Sequence, residues 1–385
     1  MTQVTLRRCS SYDQEQVLRT VRLAVDDLGG MSAFVKRGQK VLLKPNLLQG
    51  ADPDKAITTH PSIIRAVGLL VQEAGGIVTI ADSPGSGAVY SEASLRKAYR
   101  LSGWDKVAEE LGATLNYCTD CSERSQPEGV LMKRFTLIKP VLEADVIINL
   151  PKLKTHLLTG MTAGVKNMFG SIPGFEKASY HSRMTARTDF GEMLVDLERT
   201  VRPHLTILDA VIGMEGNGPM NGEPRTFGAI IASPDPHALD LVAARLLGLD
   251  PLLIPTLAAA ARRGLLPEGL VQDIGGDGLT GLLVTDLKIP ATFAGQKKDS
   301  RAMRAVLSLA RPYALRPVVE RDKCVGFGAC ARSCPRQCIT VTEGKARIAS
   351  KNCIRCYCCH EMCPQDAILL KRSKTGKVMH KVMQR

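Results

Sequence analysis

The residues best equipped for chemistry lie near the end of the chain. Residues 323–340 read KCVGFGACARSCPRQCIT, and residues 353–364 read CIRCYCCHEMCP. A shift of 29 positions lays the first run over the second. Cys324 then falls on Cys353, Cys330 on Cys359, Cys334 on Cys363, Pro335 on Pro364 and Ile339 on Ile368. The second copy satisfies the spacing C-x2-C-x2-C-x3-C-P, in which thiolates hold an iron–sulfur cluster. In the first copy the place of Cys356 is taken by Phe327, whose ring cannot donate to iron. Zinc also gathers cysteines, but it takes only four ligands and needs no trailing Cys-Pro.

With these two runs, the segment of about 315–372 resembles two-cluster ferredoxin domains, with repeats at about 317–343 and 344–372. The resemblance implies that the fourth cysteine of each run ligates the other cluster. One cluster would then have Cys353, Cys356, Cys359 and Cys334, a full set for 4Fe-4S. The other would have Cys324, Cys330 and Cys363, enough for 3Fe-4S or for 4Fe-4S with one iron open. Seven-iron ferredoxins also lack that second ligand. Cys338 and Cys358 are spare thiols. The alternatives rank as a 3Fe-4S cluster first, rescue by Cys338 second and an empty site last.

A second group of reactive side chains follows apolar, strand-like stretches in residues 1–290. Lys44 and Asn46 follow QKVLLKPN (39–46), Asp82 and Ser83 follow IVTIADSPG (77–85), Lys152 and Lys154 follow ADVIINLPK (144–152), and Asp209 ends HLTILDA (204–210). The carboxyl ends of parallel strands share one sheet edge, where ligands bind. The stretch 151–174 adds His156, Thr159, Thr162, Lys166 and Asn167 among glycines, and 213–225 reads as a glycine-rich loop with Glu215, Asn217 and Asn221. Glycines admit backbone amides to a ligand and lysines supply fixed charge, so the natural guest is anionic. Neither a Walker loop nor a G-x-G-x-x-G fingerprint after a strand is present. His60, His156 and His181 are candidates for acid–base or metal chemistry, although a lone histidine is more often structural. YCTDCSER offers Cys118 and Cys121 as a single C-x2-C, for which two plain thiols are the simpler reading.

The motifs LLKPNLL, TTHPSIIRAV, IADSPG, INLPKLKTH, TAGVKNMFGSIPG with KASYHSR, and DAVIGMEGNGPMNGEPR occur in order. They resemble the domain of unknown function numbered 362 over about residues 40–290. The resemblance implies a redox-associated iron–sulfur protein with no general reaction assigned. It carries over Lys44, Asn46, His60, Asp82, Lys152, Lys154, His156, Lys166, Asn167, Asp209, Glu215 and Asn217 as family-typical positions, without their roles. Phe327 departs from members that hold a full second cluster.

These residues require a framework. Apolar strands alternate with helical stretches at 60–76, 103–113 and 235–249, the first with Pro61 in its first turn. Such alternation predicts an α/β domain, a largely parallel sheet with helices on both faces, over 1–295. A basic linker or helix (296–316), a small α+β ferredoxin-like domain (317–372) and a basic tail (373–385) would follow.

The net charge of +13 is uneven: residues 297–385 hold 20 Lys and Arg against 6 Asp and Glu, whereas residues 1–296 hold 31 against 32. No aromatic interleaving or recognised nucleic-acid fold accompanies this basic region, so nucleic acid is not the expected partner. An acidic electron donor such as a ferredoxin or flavodoxin fits better. Peripheral membrane contact through the helical pattern at 301–319 ranks below it. No stretch approaches ~18 uncharged apolar residues, and the start of the chain has no apolar signal core. Nine of the 12 cysteines lie between 324 and 363 in ligand spacing and must stay reduced, so the expected location is cytoplasmic.

Two functions compete. In one, the protein is a ferredoxin-linked reductase of an anionic small molecule. Lys152, Lys154 and the 152–167 segment would grip the anion, and His156 or Asp209 would supply the proton. In the other, it is an electron relay or a docking and cluster-delivery protein with no substrate of its own.

Overall fold

The computed structural model describes residues 4–85, 89–174, 176–184, 186–266, 274–290, 292–293 and 315–371. The basic tail, and all but the last two positions of the basic linker, lie outside the described residues. In chain order the strands are β1 (Val4–Arg8), β2 (Lys40–Pro45), β3 (Ile77–Ile80), β4 (Thr114–Leu115), β5 (Cys121–Ser125), β6 (Arg134–Ile138), β7 (Val146–Leu150) and β8 (Lys152–His156). They continue as β9 (Gly160–Thr162), β10 (Leu205–Asn217), β11 (Asn221–Ser233), β12 (Ile274–Gly276), β13 (Arg316–Val319), β14 (Ile339–Thr342), β15 (Lys345–Ile348) and β16 (Ile368–Lys371).

Among the described residues one ten-stranded sheet dominates, with the main order β12-β1-β11-β10-β7-β2-β3-β4. The run from β10 through β7, β2 and β3 to β4 is parallel, and β11 lies antiparallel between β1 and β10. Beyond the end of β7, β8 takes over as the parallel neighbour of β10, and β9 folds back on β8. The sheet is therefore mixed but mostly parallel.

Alternation along the strands fills both faces. Val41 and Leu43 enter a core with the helices Gln14–Asp26 and Pro61–Glu73, whereas Leu42 points to the opposite core with the helix Arg187–Val201. A strand apolar on both faces is what a central parallel strand needs. The helix at 61–73 starts where the sequence indicates: Pro61 opens it and the His60 Nδ1 accepts the Ser62 N–H at 3.2 Å. The helix Pro236–Leu246 is capped by Asp235, which accepts from the His237 and Ala238 amides.

Two sequence expectations are corrected. Lys152–His156 is a strand rather than a loop following one. The glycine-rich stretch 213–225 forms the far ends of β10 and β11, paired antiparallel, and only the turn between Asn217 and Asn221 is loop.

Residues 315–371 fold as two copies of one unit. β13 matches β15, the helix Ala329–Arg332 matches Cys358–Glu361, and β14 matches β16, each displaced by 29 positions. Strand pairing crosses between copies, β13 with β16 and β15 with β14. The crossing bonds are reciprocal: the Glu320 N–H donates to the Ala367 carbonyl at 2.7 Å and the Ala349 N–H to that of Cys338 at 2.8 Å. Left-handed backbone recurs at the same shift, with φ of 71° at Gly326 and 60° at Arg355, and 80° at Gly328 and 63° at Tyr357.

Candidate functional site

A cavity opens at the carboxyl ends of β2 and β3, between the sheet and the cysteine-rich unit. The sequence KLKTH of β8 supplies one wall. Leu153 enters the apolar core with Leu208 and Phe227, while Lys152, Lys154 and His156 all reach the cavity. Asn46, Asp82, Lys166 and Asn167 join them in the lining. Lys44 lies directly beneath, its Nζ 2.7 Å from Asp82 Oδ1 and donating to the Asn167 carbonyl at 2.7 Å. The approach is close enough to require glycine at 170, where a Cβ would sit 2.1 Å from Asp82 Oδ1. The structure thus brings eight of the twelve candidates of the large domain to one place.

The other four stand apart from the cavity wall. Asp209 is fully buried behind Lys152, at 2.9 Å from its Nζ, and also accepts from the Tyr12 hydroxyl and the His60 amide. These bonds engage both carboxylate oxygens. His60 stacks on Tyr12 at 3.6 Å between centroids and caps its helix. Glu215 pairs with Arg225 at 2.7 Å, and Asn217 is exposed at the β10–β11 turn.

Sequence reasoning named His181 but passed over the lining residues Lys177, Glu361 and Met362. Lys177 and His181 sit four apart on the helix Glu176–Arg183, so both face the cavity. That spacing was available in KASYHSR. Glu361 and Met362 reach the cavity from the cysteine-rich unit, and nothing in CCHEMCP marks them for that role. Around the cavity mouth, Asn221 donates to the His360 carbonyl at 2.8 Å, and Tyr357 packs with Leu157 and Leu315.

The charge balance is lopsided. Lys44 and Lys152 have carboxylate partners. Lys154 instead donates to Asn46 Oδ1 at 2.6 Å and the Ile57 carbonyl at 2.8 Å, and Lys177 to Ser83 Oγ at 2.8 Å and the Pro84 carbonyl at 2.7 Å. Lys166 makes no hydrogen bond or ion pair among the described residues, and its Nζ stands 5.0 Å from the Phe169 ring centre. Burial without a paired anion disfavours the charged form. It pulls Lys154 well below the usual lysine range, Lys166 down to about 8 and Lys177 down to about 7. Burial and the neighbouring lysines keep His156 neutral, and burial takes His181 down to about 3. Desolvation raises Glu361 to about 7 against the pull of Lys166 and Lys154.

The tautomer of His156 follows from its neighbours. Its Nδ1 accepts the amides of Leu158 at 3.0 Å and Thr159 at 3.2 Å, so the neutral ring carries its proton on Nε2. That N–H lies 3.7 Å from Glu361 Oε1, beyond hydrogen-bond reach, and a neutral imidazole forms no ion pair.

The cysteines line two further cavities. Cys324, Cys330 and Cys363 share one with Phe327; Cys334, Cys353, Cys356 and Cys359 share one with Cys338. These are the two ligand sets implied by crossed ligation. Backbone amides approach the sulfurs, Ala346 to Cys324 and Ala367 to Cys363 at 3.3 Å, Cys338 to Cys334 and Arg355 to Cys353 at 3.4 Å, as a thiolate would favour. Among the described residues no three His, Cys, Asp or Glu side chains converge on a point where a single metal ion could sit. The two thiol sets are of the residue type that iron–sulfur clusters use as ligands. Cys338 lies in the cavity that already has four thiols, its Sγ 3.4 Å from that of Cys334, which corrects the idea that it replaces the ligand missing at Phe327. Phe327 is 58% exposed, with the Arg332 guanidinium 5.6 Å from its ring centre.

This geometry belongs to a mostly parallel α/β protein with a lysine-lined cavity bordered by a cysteine-rich unit. The sequence profile of the family described as domain of unknown function DUF362 matches residues 41–245, and the chain belongs to that family. It is 43% identical over 273 residues to the thylakoid-associated protein sll1697 of Synechocystis, a match covering 69% of this chain and 80% of that protein. Over 75 residues it is 40% identical to the NADH-dependent phenylglyoxylate dehydrogenase subunit delta of Aromatoleum evansii, covering 19% of this chain and 81% of the subunit. Over 54 residues it is 37% identical to a ferredoxin of Pyrobaculum islandicum, covering 14% of this chain and half of that ferredoxin.

Proposed function

We propose that this protein is an iron–sulfur oxidoreductase, a reductase of a small anion held in the lysine-lined cavity. One observation carries the reading. Cys359 lines one cysteine cavity and Cys363 the other, while Glu361 and Met362, between them in sequence, line the lysine cavity. A docking surface for a partner protein, or a relay without a substrate, has no need of a buried chamber at that junction. The short matches to a ferredoxin and to a dehydrogenase subunit support the redox assignment.

In this reading Cys334, Cys353, Cys356 and Cys359 hold a 4Fe-4S cluster. Cys324, Cys330 and Cys363 hold a second, either 3Fe-4S or 4Fe-4S with one iron open beside Phe327. When bound, the clusters supply one-electron transfer. The chain's own side chains do the rest. Lys154, Lys166 and Lys177, with no carboxylate partners, bind the anionic end of the substrate. His156 donates its Nε2–H to a substrate oxygen and cannot act as a base, because its Nδ1 is engaged. The ammonium groups of Lys166 and Lys177 have proton affinities near neutrality, the range suited to proton transfer. Asp209 holds Lys152 in position and takes no part in proton delivery.

The electron donor in this reading is an acidic carrier, a ferredoxin or flavodoxin, drawn to the basic C-terminal region. No helix among the described residues is long and apolar enough to cross a membrane. The name of the Synechocystis relative adds a membrane surface to the cytoplasm as a place to find the protein.

The test starts with anaerobic purification and mass spectrometry of released small molecules. Dithionite-reduced protein is then mixed with each anion found, and visible absorbance is followed. Reoxidation that slows at least tenfold in Lys166→Met is expected. Reoxidation by none of them, with unaltered transfer to an acceptor protein, would favour the relay.

A further inference from the structure

Two polar atoms of the cavity are left without partners. Glu361 Oε1 and His181 Nδ1 are buried, and neither has a hydrogen-bond partner among the described residues. Their residues are only 8% and 4% exposed, and both line the chamber. A buried polar group without a partner costs roughly 1–3 kcal/mol, so such atoms are ordinarily completed by water or by a ligand. Glu361 is the more informative, because lysines would draw an anion into its neighbourhood. A ligand that is only anionic would satisfy a protonated Glu361 but repel the carboxylate, so it fits only one of the two forms. A hydroxyl removes the conflict in either protonation state of Glu361: it gives its hydrogen to the carboxylate, or accepts one from the carboxylic acid.

We propose that the cavity takes a small hydroxylated acid, a hydroxycarboxylate or a polyol phosphate. Its anionic end lies on Lys154, Lys166 and Lys177, and its hydroxyl on Glu361. The proposal rests on the reading of the chamber as an anion site and names the ligand class that the site selects. It also makes the site composite. The large domain reads charge, while the cysteine-rich unit, through the residue between Cys359 and Cys363, reads the hydroxyl. His156 Nε2–H adds a fixed donor to an oxygen of the same ligand.

The experiment is calorimetry of the full-length protein with pairs matched except for a hydroxyl: malate against succinate, and glycerol 3-phosphate against propyl phosphate. One buried hydrogen bond predicts a preference of about tenfold for the hydroxylated member of at least one pair, equivalent to ~1.4 kcal/mol. The pair that shows it tells carboxylate from phosphate. Glu361→Ala should bring the ratio to about one, because any change in anion affinity from losing the carboxyl is shared by both members of a pair. Glu361→Gln, whose amide can still serve a hydroxyl, should retain the preference and show that the alanine variant has not lost it by misfolding. Equal affinities within both pairs, or binding of neither member of either pair, overturns the proposal. If the deoxy members bind in a Lys166-dependent way without a hydroxyl preference, the anion site stands and only the ligand class falls.

Discussion

Anion binding should draw protons from solution. Lys166 and Lys177 have proton affinities lowered to about 8 and about 7, because burial strips their water and no carboxylate replaces it. At pH 8, Lys166 is then about half protonated and Lys177 about a tenth. A bound dianion returns both toward the ordinary lysine range, so filling the site at pH 8 takes up about 1.4 protons, and at pH 6 only ~0.1.

Other groups face these lysines. Lys44 and Asp82 are paired, Lys154 is lowered further and adds uptake of the same sign, Glu176 stands near Lys177, and Glu361 is also raised by a nearby anion. His156 and His181 are held neutral. The neglected terms therefore increase the uptake. The sign follows from linkage: cations depressed in the free state and restored in the complex give affinity that these two lysines leave full only below about pH 6. It is lost as the pH rises through the free values, by up to tenfold per pH unit for each proton taken up.

Sulfate is a suitable probe because it does not itself titrate in this range. Calorimetry in Tris and in HEPES at pH 8 should give heats that differ by the uptake times the difference in buffer ionisation enthalpy, and Lys166→Met should lower the uptake by about half a proton. Identical heats in the two buffers at pH 8, or an uptake as large at pH 6, would refute the picture of uncompensated lysines.

Three further outcomes are expected. Phe327→Cys supplies the absent fourth thiol, so iron in anaerobically reconstituted protein should rise by about one atom per chain, and Cys338→Ala should leave that half-site's electron paramagnetic resonance signal unaltered, because its thiol sits in the other cavity. Gly170→Ala drives a methyl to 2.1 Å from Asp82 Oδ1 and 2.7 Å from Lys44 Nζ, so breaking that buried pair should cost ~3–5 kcal/mol in urea unfolding, and a loss under about 1 kcal/mol would show that the site relaxes freely. If the basic C-terminal region steers an acidic donor, reduction rates should fall as salt rises past a screening length of ~8 Å at physiological strength, and salt-independent rates would leave the region without that role.

What could be seen in the sequence was local. The cysteine repeat was visible because cluster ligation fixes spacing within a few residues, and its two halves recur in the backbone as faithfully as in the letters. The large domain's strands were visible where both faces are apolar, as in Val41–Leu43. Strand β8 was hidden for the opposite reason: Lys152, Lys154 and His156 look like a solvated loop, but they are buried against a cavity that only the assembled sheet creates. Asp209 was found at the right edge, but its partners were not legible, since the hydroxyl of Tyr12, nearly 200 positions away, and the His60 amide occupy its oxygens. Glu361 could not be found at all. Its position depends on how the cysteine-rich unit docks, and its neighbours in sequence are cysteines with other work.

The chamber makes sense as a state awaiting a ligand. Five lysines converge at or just beneath its wall, two of them matched by Asp82 and Asp209, and the acid nearest Lys154 and Lys166 is Glu361, whose Oε1 has no hydrogen-bond partner among the described residues. A core chosen for stability alone would replace such groups with apolar ones, because desolvating unpaired charge is unfavourable. Their depressed proton affinities record that unfavourable state: the free protein relieves it by shedding protons, and an anion would relieve it by supplying charge. Binding energy should therefore be large relative to the ligand's size. A ligand at a hundred times its dissociation constant should stabilise the fold by ~2.7 kcal/mol. Because Glu361 and Met362 close the chamber, part of that stabilisation must hold the cysteine-rich unit against the sheet. On the proposed function, ligand occupancy and the seating of the thiols at Cys359 and Cys363 would then form one equilibrium.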